Sequence, residues 1–314
     1  MRMKLKNTAV TAGFLASVLF GTVAGAQQVR LMTGPQGGSW YPLGGAIANI
    51  AGKAGVKVQV LPGAGIANVK AVQMGKADFG FGNSISTVDG VAGRAPFEAK
   101  ADNVCNVATL YPQYFQIVAN ADANIGSLAD SKGKSIAVQP RGNTAEFITA
   151  QMLEVYGMTY KDMSRVSYVS YTDAVSLLKD NNAQLFTLGT TVPSSSIMDL
   201  ASARAIKLVD VPDDKFQAMR KLNPGYTKLT IPANSYPGQD KDVQAVGYAT
   251  HLIARCDLEQ DTVYKILEGI LADKADLEAI AKAMAPTTLK MMAEDIGVPL
   301  HKGAEKFYKE KGAI

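Results

Sequence analysis

Val29-Arg-Leu-Met-Thr33, followed at once by Gly34-Pro-Gln-Gly-Gly-Ser-Trp-Tyr-Pro42, is the stretch that decides the fold. A short apolar run ends in a Gly-rich turn, and the turn opens a helical pattern over residues 41–54. The unit reads as strand, turn, helix. It recurs downstream. Lys57-Val-Gln-Val-Leu61 is the next strand, ahead of a helix with Ile66, Val69 and Val72 on one side. Asp78-Phe-Gly-Phe-Gly82 is a third strand and leads into a helix over residues 84–91. Strands separated by helices of this length form parallel βα units, so the expected class is α/β with a doubly wound sheet.

A second series begins beyond Ile125. Ser135-Ile-Ala-Val-Gln139 has the pattern of a buried strand, and Ile148, Met152 and Val155 then fall at i, i+4 and i+7. Further units are the strand 166–169 with the helix 172–179, and the strand 184–188 with a helix expected to open at Pro193, where a missing N–H is tolerated. Val263, Ile266, Leu267 and Ile270 mark a C-terminal helical region. Two segments are placed to link the series: Leu110-Tyr-Pro-Gln-Tyr-Phe-Gln-Ile-Val118, and Ile231-Pro-Ala-Asn-Ser-Tyr-Pro-Gly238 before a β-like run over 246–254. The expected architecture is two α/β lobes joined by two crossovers, with lobe 1 over 27–116 plus 240–314 and lobe 2 over 117–239. Such a hinge closes lobes around a ligand.

The first residues address compartment. Arg2, Lys4 and Lys6 precede an uncharged, mostly apolar stretch over residues 9–23, and Ala24-Gly25-Ala26 precedes Gln27. A basic start, an apolar middle and a small-x-small site read as a secretory signal cleaved after Ala26. Thr8, Thr11, Gly13, Ser17, Gly21 and Thr22 dilute the hydrophobicity that a spanning helix needs. Subtracting Arg2, Lys4 and Lys6 from the net charge of +4 leaves +1, and no Lys/Arg block remains to favour nucleic acid. The expectation is a soluble periplasmic protein, a monomer that binds no nucleic acid. Cys105 and Cys256 are the only cysteines; in an oxidising compartment they either pair or remain as two buried thiols.

Ligands of doubly wound sheets bind at the carboxyl ends of strands, beside the N-termini of the following helices, where free N–H groups favour an anion. Four loops here have that chemistry. In 34–42, Gly37 and Gly38 admit close backbone approach, Ser39 offers a hydroxyl, and Trp40 or Tyr41 a wall; an ordinary βα turn has the same glycines. Asn83 and Ser84 follow a strand, where capping is their usual work. In Pro140-Arg-Gly-Asn-Thr-Ala-Glu146, Asn143 and Glu146 have capping-box spacing, and Arg141 stands either as a carboxylate partner or as a solvated surface cation. Gly189-Thr-Thr-Val-Pro193 is again a strand end carrying hydroxyls.

Catalysis finds little support. His251 lies inside a strand-like run and His301 near the C-terminal end; no metal-ligand spacing and no nucleophile elbow occurs. No enzyme, metal or cofactor is expected.

Taken together the stretches resemble a known family, the TAXI-type receptors of tripartite ATP-independent periplasmic (TRAP) transporters. The matching residues are Thr33 to Gly45, Asn68 with Gly75-Lys-Ala-Asp-Phe-Gly80, Leu110-Tyr-Pro112 and Ile125 to Lys134, then Ile231 to Gly238, and Pro299-Leu-His-Lys-Gly-Ala304 leading to Phe307-Tyr-Lys-Glu310. The resemblance implies a type II periplasmic-binding-protein fold and assigns His301 to a C-terminal motif. It also implies a small organic acid, glutamate-like or a C4–C5 dicarboxylate, delivered to a TRAP-type permease driven by an ion gradient. Carried onto matching positions, the contacts in one lobe are Gly38, Ser39, Trp40, Tyr41, Asn83, Ser84, Tyr111 and Gln113. In the other they are Gly142, Asn143, Thr144, Gly189, Thr190 and Thr191, with Arg141 added from its own chemistry. The chain departs from the family where Gly142-Asn-Thr-Ala-Glu146 replaces Gly-Ser-Gly-Thr-Glu, and where Asp180 to Phe186 lacks Gly-x-x-Asp-Ala. Both departures adjoin the expected cleft and bear on ligand identity. An exported ligand sensor, or an enzyme on the same scaffold, is the alternative.

Overall fold

The computed structural model describes residues 28–314 apart from residue 224; the expected leader, residues 1–26, lies outside the described residues. The chain starts with β1 (Val29–Met32), α1 (Trp40–Lys53), β2 (Val58–Leu61), α2 (Gly65–Gln73), β3 (Phe79–Asn83) and α3 (Ser84–Ala92). In α1 the buried Trp40, Leu43, Ile47 and Ile50 form one stripe. That stripe is what turns a helical pattern into a docked helix. β4 (Val104–Asn120) follows, and its 17 residues are buried almost throughout.

The second series then runs β5 (Ser135–Val138), α4 (Thr144–Val155), β6 (Arg165–Tyr168), α5 (Tyr171–Lys179), β7 (Leu185–Thr190), α6 (Ser195–Ala203) and β8 (Ile206–Leu208). After it come α7 (Asp213–Leu222), β9 (Thr227–Ile231), β10 (Val243–Arg255), α8 (Gln260–Ala272), α9 (Lys274–Ile280), α10 (Leu289–Met292) and α11 (Lys302–Glu310). The helix expected to open at Pro193 opens two residues later. The Ser194 N–H is taken by the Tyr236 hydroxyl at 2.9 Å, which keeps Ser194 extended as the N-cap.

The strands form one sheet in the order β2-β1-β3-β10-β4-β7-β5-β6, with β8 on β4 and β9 on β10. β1–β3 and β5–β7 pair in parallel within their series. β4 and β10 run antiparallel to each other and through both series: His251 to Arg255 pair near the β3 side, Val246 and Gly247 near the β7 side. Each series therefore has the same order, 2-1-3 followed by the two long strands, with β4 and β10 exchanging places. The change from one half to the other falls inside these strands, where Tyr248 faces Gln113. The segment Ile231 to Gly238, expected as the second crossover, instead ends β9 and turns into β10 within the second half. A β strand crosses more rigidly than a Pro- and Gly-rich loop, and the run over 246–254 supplies it.

Four apolar clusters cover the two faces of each half. One joins α1, α8 and α11 to β1, β3 and β4; a smaller one packs α2 with Phe97 and Ile253. In the second half, one gathers α4 and α7, and the other α5 and α6 around Phe186. Helices on both faces of the parallel strands of each series are the doubly wound arrangement. Cys105 and Cys256 are joined in a disulfide, with their Cα atoms 5.1 Å apart, so β4 is bonded to the turn that ends β10. This resolves the two readings of that pair.

Candidate ligand-binding site

In both halves the strand order reverses direction beside the first strand, between β1 and β3 and between β5 and β7. Loops leaving neighbouring strands there diverge to opposite faces and open a crevice. All four loops singled out from sequence leave these strands. Asn68 helps keep the crevice open: its buried amide donates to the carbonyls of Thr33 (2.7 Å) and Phe81 (2.9 Å) and its oxygen accepts from Ala64 N–H (3.0 Å).

The two crevices face each other across one narrow cavity of about 20 Å³. From the first half it is lined by Pro35, Gly38, Ser39, Trp40, Gly65 and Asn83; from the second by Asn143, Ala145, Tyr171, Gly189 and Thr190; and by the crossover pair Gln113 and Tyr248. α1, α2, α3, α4 and α5 all begin at this lining. The first N–H groups of a helix have no intrahelical acceptor, and the dipole adds positive potential there, so such ends favour an anion.

The wall is built by stacking and hydrogen bonding. Trp40 is buried and stacks on Phe81 with centroids 5.4 Å apart. With its amide oxygen toward Trp40, Gln113 accepts from the indole N–H (2.5 Å) and from Thr250 (2.7 Å) and donates to the Gly189 carbonyl (3.1 Å). The Tyr171 hydroxyl spans the same glycine, accepting from its N–H and donating to its carbonyl, each at 3.1 Å. Burial pushes the phenol of Tyr248 well above its usual range and Tyr171 upward, so both remain protonated. Asn83 Oδ1 and Tyr248 Oη are buried without a hydrogen-bond partner.

Among the residues expected from sequence, Gly38, Ser39, Trp40, Asn83, Gln113, Asn143, Gly189 and Thr190 line this cavity. The others lie elsewhere. Tyr41, one helical position beyond Trp40, points outward and is 41% exposed. Ser84 accepts from Ala249 N–H at 3.1 Å, and Tyr111 stands behind Ser39 at 3.3 Å, its phenol pushed up to about 12 by burial. The Gly142 carbonyl accepts from Ala67 N–H (3.0 Å), and Thr144 hydrogen-bonds Ser86 (3.0 Å). Thr191 lines an adjoining outer recess together with Lys282. Arg141 is exposed, its guanidinium 5.5 Å from the Tyr168 ring centre, outside the lining.

Two capping assignments change. Asn83 occupies an N-cap position but makes no side-chain cap bond, and it lines the cavity instead. Asn143 caps α4 by accepting from Ala145 N–H (2.8 Å), while its own N–H bonds Pro140, leaving Glu146 nothing to cap. Glu146 is instead buried against Tyr160, and burial raises its carboxyl pKa. Pro35, Gly65, Tyr171, Ala145 and Tyr248 were not foreseen. Tyr171 follows β6 as Ser39 follows β1, so the strand-end rule reaches it; Tyr248 sits mid-strand, and only its register against Gln113 brings it here.

Several contacts join the halves around the cavity. Ser196 donates to the Gly37 carbonyl (2.9 Å), Thr190 to Ser39 (3.4 Å), and Asn223 to Asp89 (2.9 Å), besides the Ala67–Gly142 and Ser86–Thr144 pairs. The arrangement is closed. Both histidines lie away from it: His251 is held by Thr87 (2.7 Å) and Asn106 (3.0 Å), and His301 caps α11 through Gly303 N–H (3.1 Å).

Solved structures share this architecture. A protein of Bordetella bronchiseptica RB50 is 17% identical, with a TM-score of 0.51 over 91% of this chain and 89% of that one. A putative L-cystine ABC transporter protein from Listeria monocytogenes is 14% identical, with a TM-score of 0.50 over 82% and 95%. The periplasmic aliphatic sulphonate binding protein SsuA from Escherichia coli is 12% identical over 90% and 78%, with a TM-score of 0.44. The fold is the α/β periplasmic-binding-protein fold expected from the sequence. Residues 31–312 match one family across nearly the whole described chain, and the protein belongs to the NMT1-like family.

Proposed function

We propose that the protein is an extracytoplasmic solute-binding receptor that encloses a small organic acid between two lobes and presents the closed form to a membrane permease. One observation carries this reading: a single cavity, lined from both halves, at which five helices begin. No Ser–His, Cys–His or paired-carboxylate arrangement adjoins it among the described residues, so its polar groups are suited to holding a solute. The lobes we propose divide within β4 and β10, near Gln113 and Tyr248, rather than at residue 240.

Closure follows from differential affinity. A ligand that prefers the closed form about 100-fold moves the equilibrium by that factor, about 2.7 kcal/mol. The resemblance of Thr33 to Gly45 and of the other stretches supports a TRAP-type permease as the acceptor, and residues 1–26 support export to the periplasm. Native mass spectrometry of protein purified from the periplasm tests the receptor reading. One small organic acid per chain, lost on unfolding, is expected. Protein that neither retains nor rebinds any such acid is no receptor of this kind.

A further inference from the structure

We propose that the cavity selects a small monocarboxylate carrying one neutral hydroxyl donor, and rejects dicarboxylates. This deepens the receptor reading and rests on it. The first observation is charge. The lining contains no Lys, Arg, His, Asp or Glu. Positive potential comes only from the helix starts, and at three of them an N–H is already taken: Ala67 by the Gly142 carbonyl, Ala145 by Asn143 and Asp173 by Ser170. The uncapped starts of α1 and α3, about half a charge each, suit one anionic group. A second carboxylate in the same enclosure has no cation to pair with, and burying it unpaired is costly. Lys282 lines only the adjoining recess and is exposed there; Arg141 stays over Tyr168.

The second observation is an unmet acceptor. Asn83 is 3% exposed and Tyr248 1%; both line the cavity, and Asn83 Oδ1 and Tyr248 Oη have no protein partner. Gly65 and Gly189 leave them room: a methyl group at Gly65 would stand 2.8 Å from Asn83 Nδ2, and one at Gly189 would stand 1.9 Å from Tyr248 Oη. Buried polar atoms without partners are rare and destabilising, so these two mark where the ligand completes the network. An amide oxygen accepts from a hydroxyl, and a protonated phenol donates to one. Neither offers the negative charge that a buried ammonium requires, which argues against a zwitterionic amino acid as occupant.

Calorimetry at neutral pH tests this with matched acids: lactate, 2-hydroxybutyrate and 2-hydroxyvalerate; propionate, butyrate and valerate; malate and 2-hydroxyglutarate; and glutamate. The best hydroxy monoacid is expected to bind at least about tenfold tighter than its unsubstituted partner, and at least about 100-fold tighter than its hydroxy diacid. Asn83→Ala should remove the hydroxyl preference, and Tyr248→Phe, a conservative change, should reduce it. A diacid or glutamate as tightest ligand overturns the proposal and leaves the receptor reading standing. If Lys282→Ala then abolishes diacid binding, the second carboxylate reaches the outer recess. A hydroxyl preference that survives both cavity variants also overturns it. Silence from every acid, with the protein folded by circular dichroism, overturns this proposal and the receptor reading together.

Discussion

Gly189 is the residue where one methyl group matters most. Its Cα faces Tyr248 so closely that an added Cβ would stand 1.9 Å from the phenol oxygen, and both line the cavity. Gly189→Ala is expected to displace Tyr248, weakening ligand binding at least about tenfold and destabilising the fold by about 1–3 kcal/mol. Gly45→Ala is the control, because nothing lies within 4 Å of its added Cβ. Calorimetry and urea unfolding of the two variants check the contrast. His251 sets a different expectation. Fully buried between Thr87 and Asn106, with no carboxylate among those partners, it has its pKa lowered to about 3 by burial. The unfolded chain takes up a proton below about pH 6.5 that the folded protein refuses, so stability is intact above that pH and falls as pH drops toward about 3. The slope is at most about 1.4 kcal/mol per pH unit from this group. His301, also lowered by burial, has the same sign; the raised carboxyls of Asp89 and Glu146 have the opposite one. Urea unfolding at several pH values between about 6.5 and 5 should show a flatter dependence for His251→Gln than for the parent. Equal slopes would assign the acid sensitivity elsewhere.

At the scale of elements, β4 and β10 do the joining. They are the two longest strands, they pair with each other, and every other strand attaches on one side or the other. The Cys105–Cys256 disulfide fastens one end of this pair across a sequence separation of 151. Restricting so long a loop in the unfolded chain is worth roughly 3–5 kcal/mol. The double variant Cys105→Ala with Cys256→Ala is expected to lose about that much, read by denaturant unfolding under non-reducing conditions. Its ligand affinity should change less than about twofold, because Cys105 lies eight residues, about 27 Å of strand, from Gln113. A large loss of affinity would mean that the far end of the strand pair governs the crossover. The adjoining ion pair has a local role: Asp78 accepts from the Arg30 backbone and guanidinium (2.8 and 2.9 Å), joining β1 to the start of β3.

For the whole molecule, the halves meet through polar contacts together with apolar ones made by Ile85 and Phe147, and a ligand with differential affinity moves the equilibrium between closed and open. Thr144→Val with Ser196→Ala removes the Ser86 and Gly37 contacts while leaving the cavity lining in place. With about 1 kcal/mol for each hydrogen bond, the closed state should lose roughly fivefold to thirtyfold in population relative to the open one. Small-angle scattering should report a larger radius of gyration for the ligand-free variant, and the dissociation constant should rise by no more than the same factor. An unchanged radius with unchanged affinity would show that closure is held elsewhere.

Much of this was legible before any coordinates. The loops after β1, β3, β5 and β7 were readable because a parallel βα unit exposes its chemistry at the strand's carboxyl end, and Gly, Ser and Asn mark that end in the chain itself. Helix positions followed from stripes such as Ile148 and Met152, since burial on one face has a fixed period. What the chain could not express was register. Tyr248 joins the lining through its pairing with Gln113 across two long strands, Arg141 lies outside it with its guanidinium over the Tyr168 ring, and Asn83 lines it without capping α3. Local pattern records which residues share a turn or a face; which distant residues meet, and which polar atoms are left unpaired when they do, is set by how the sheet is assembled.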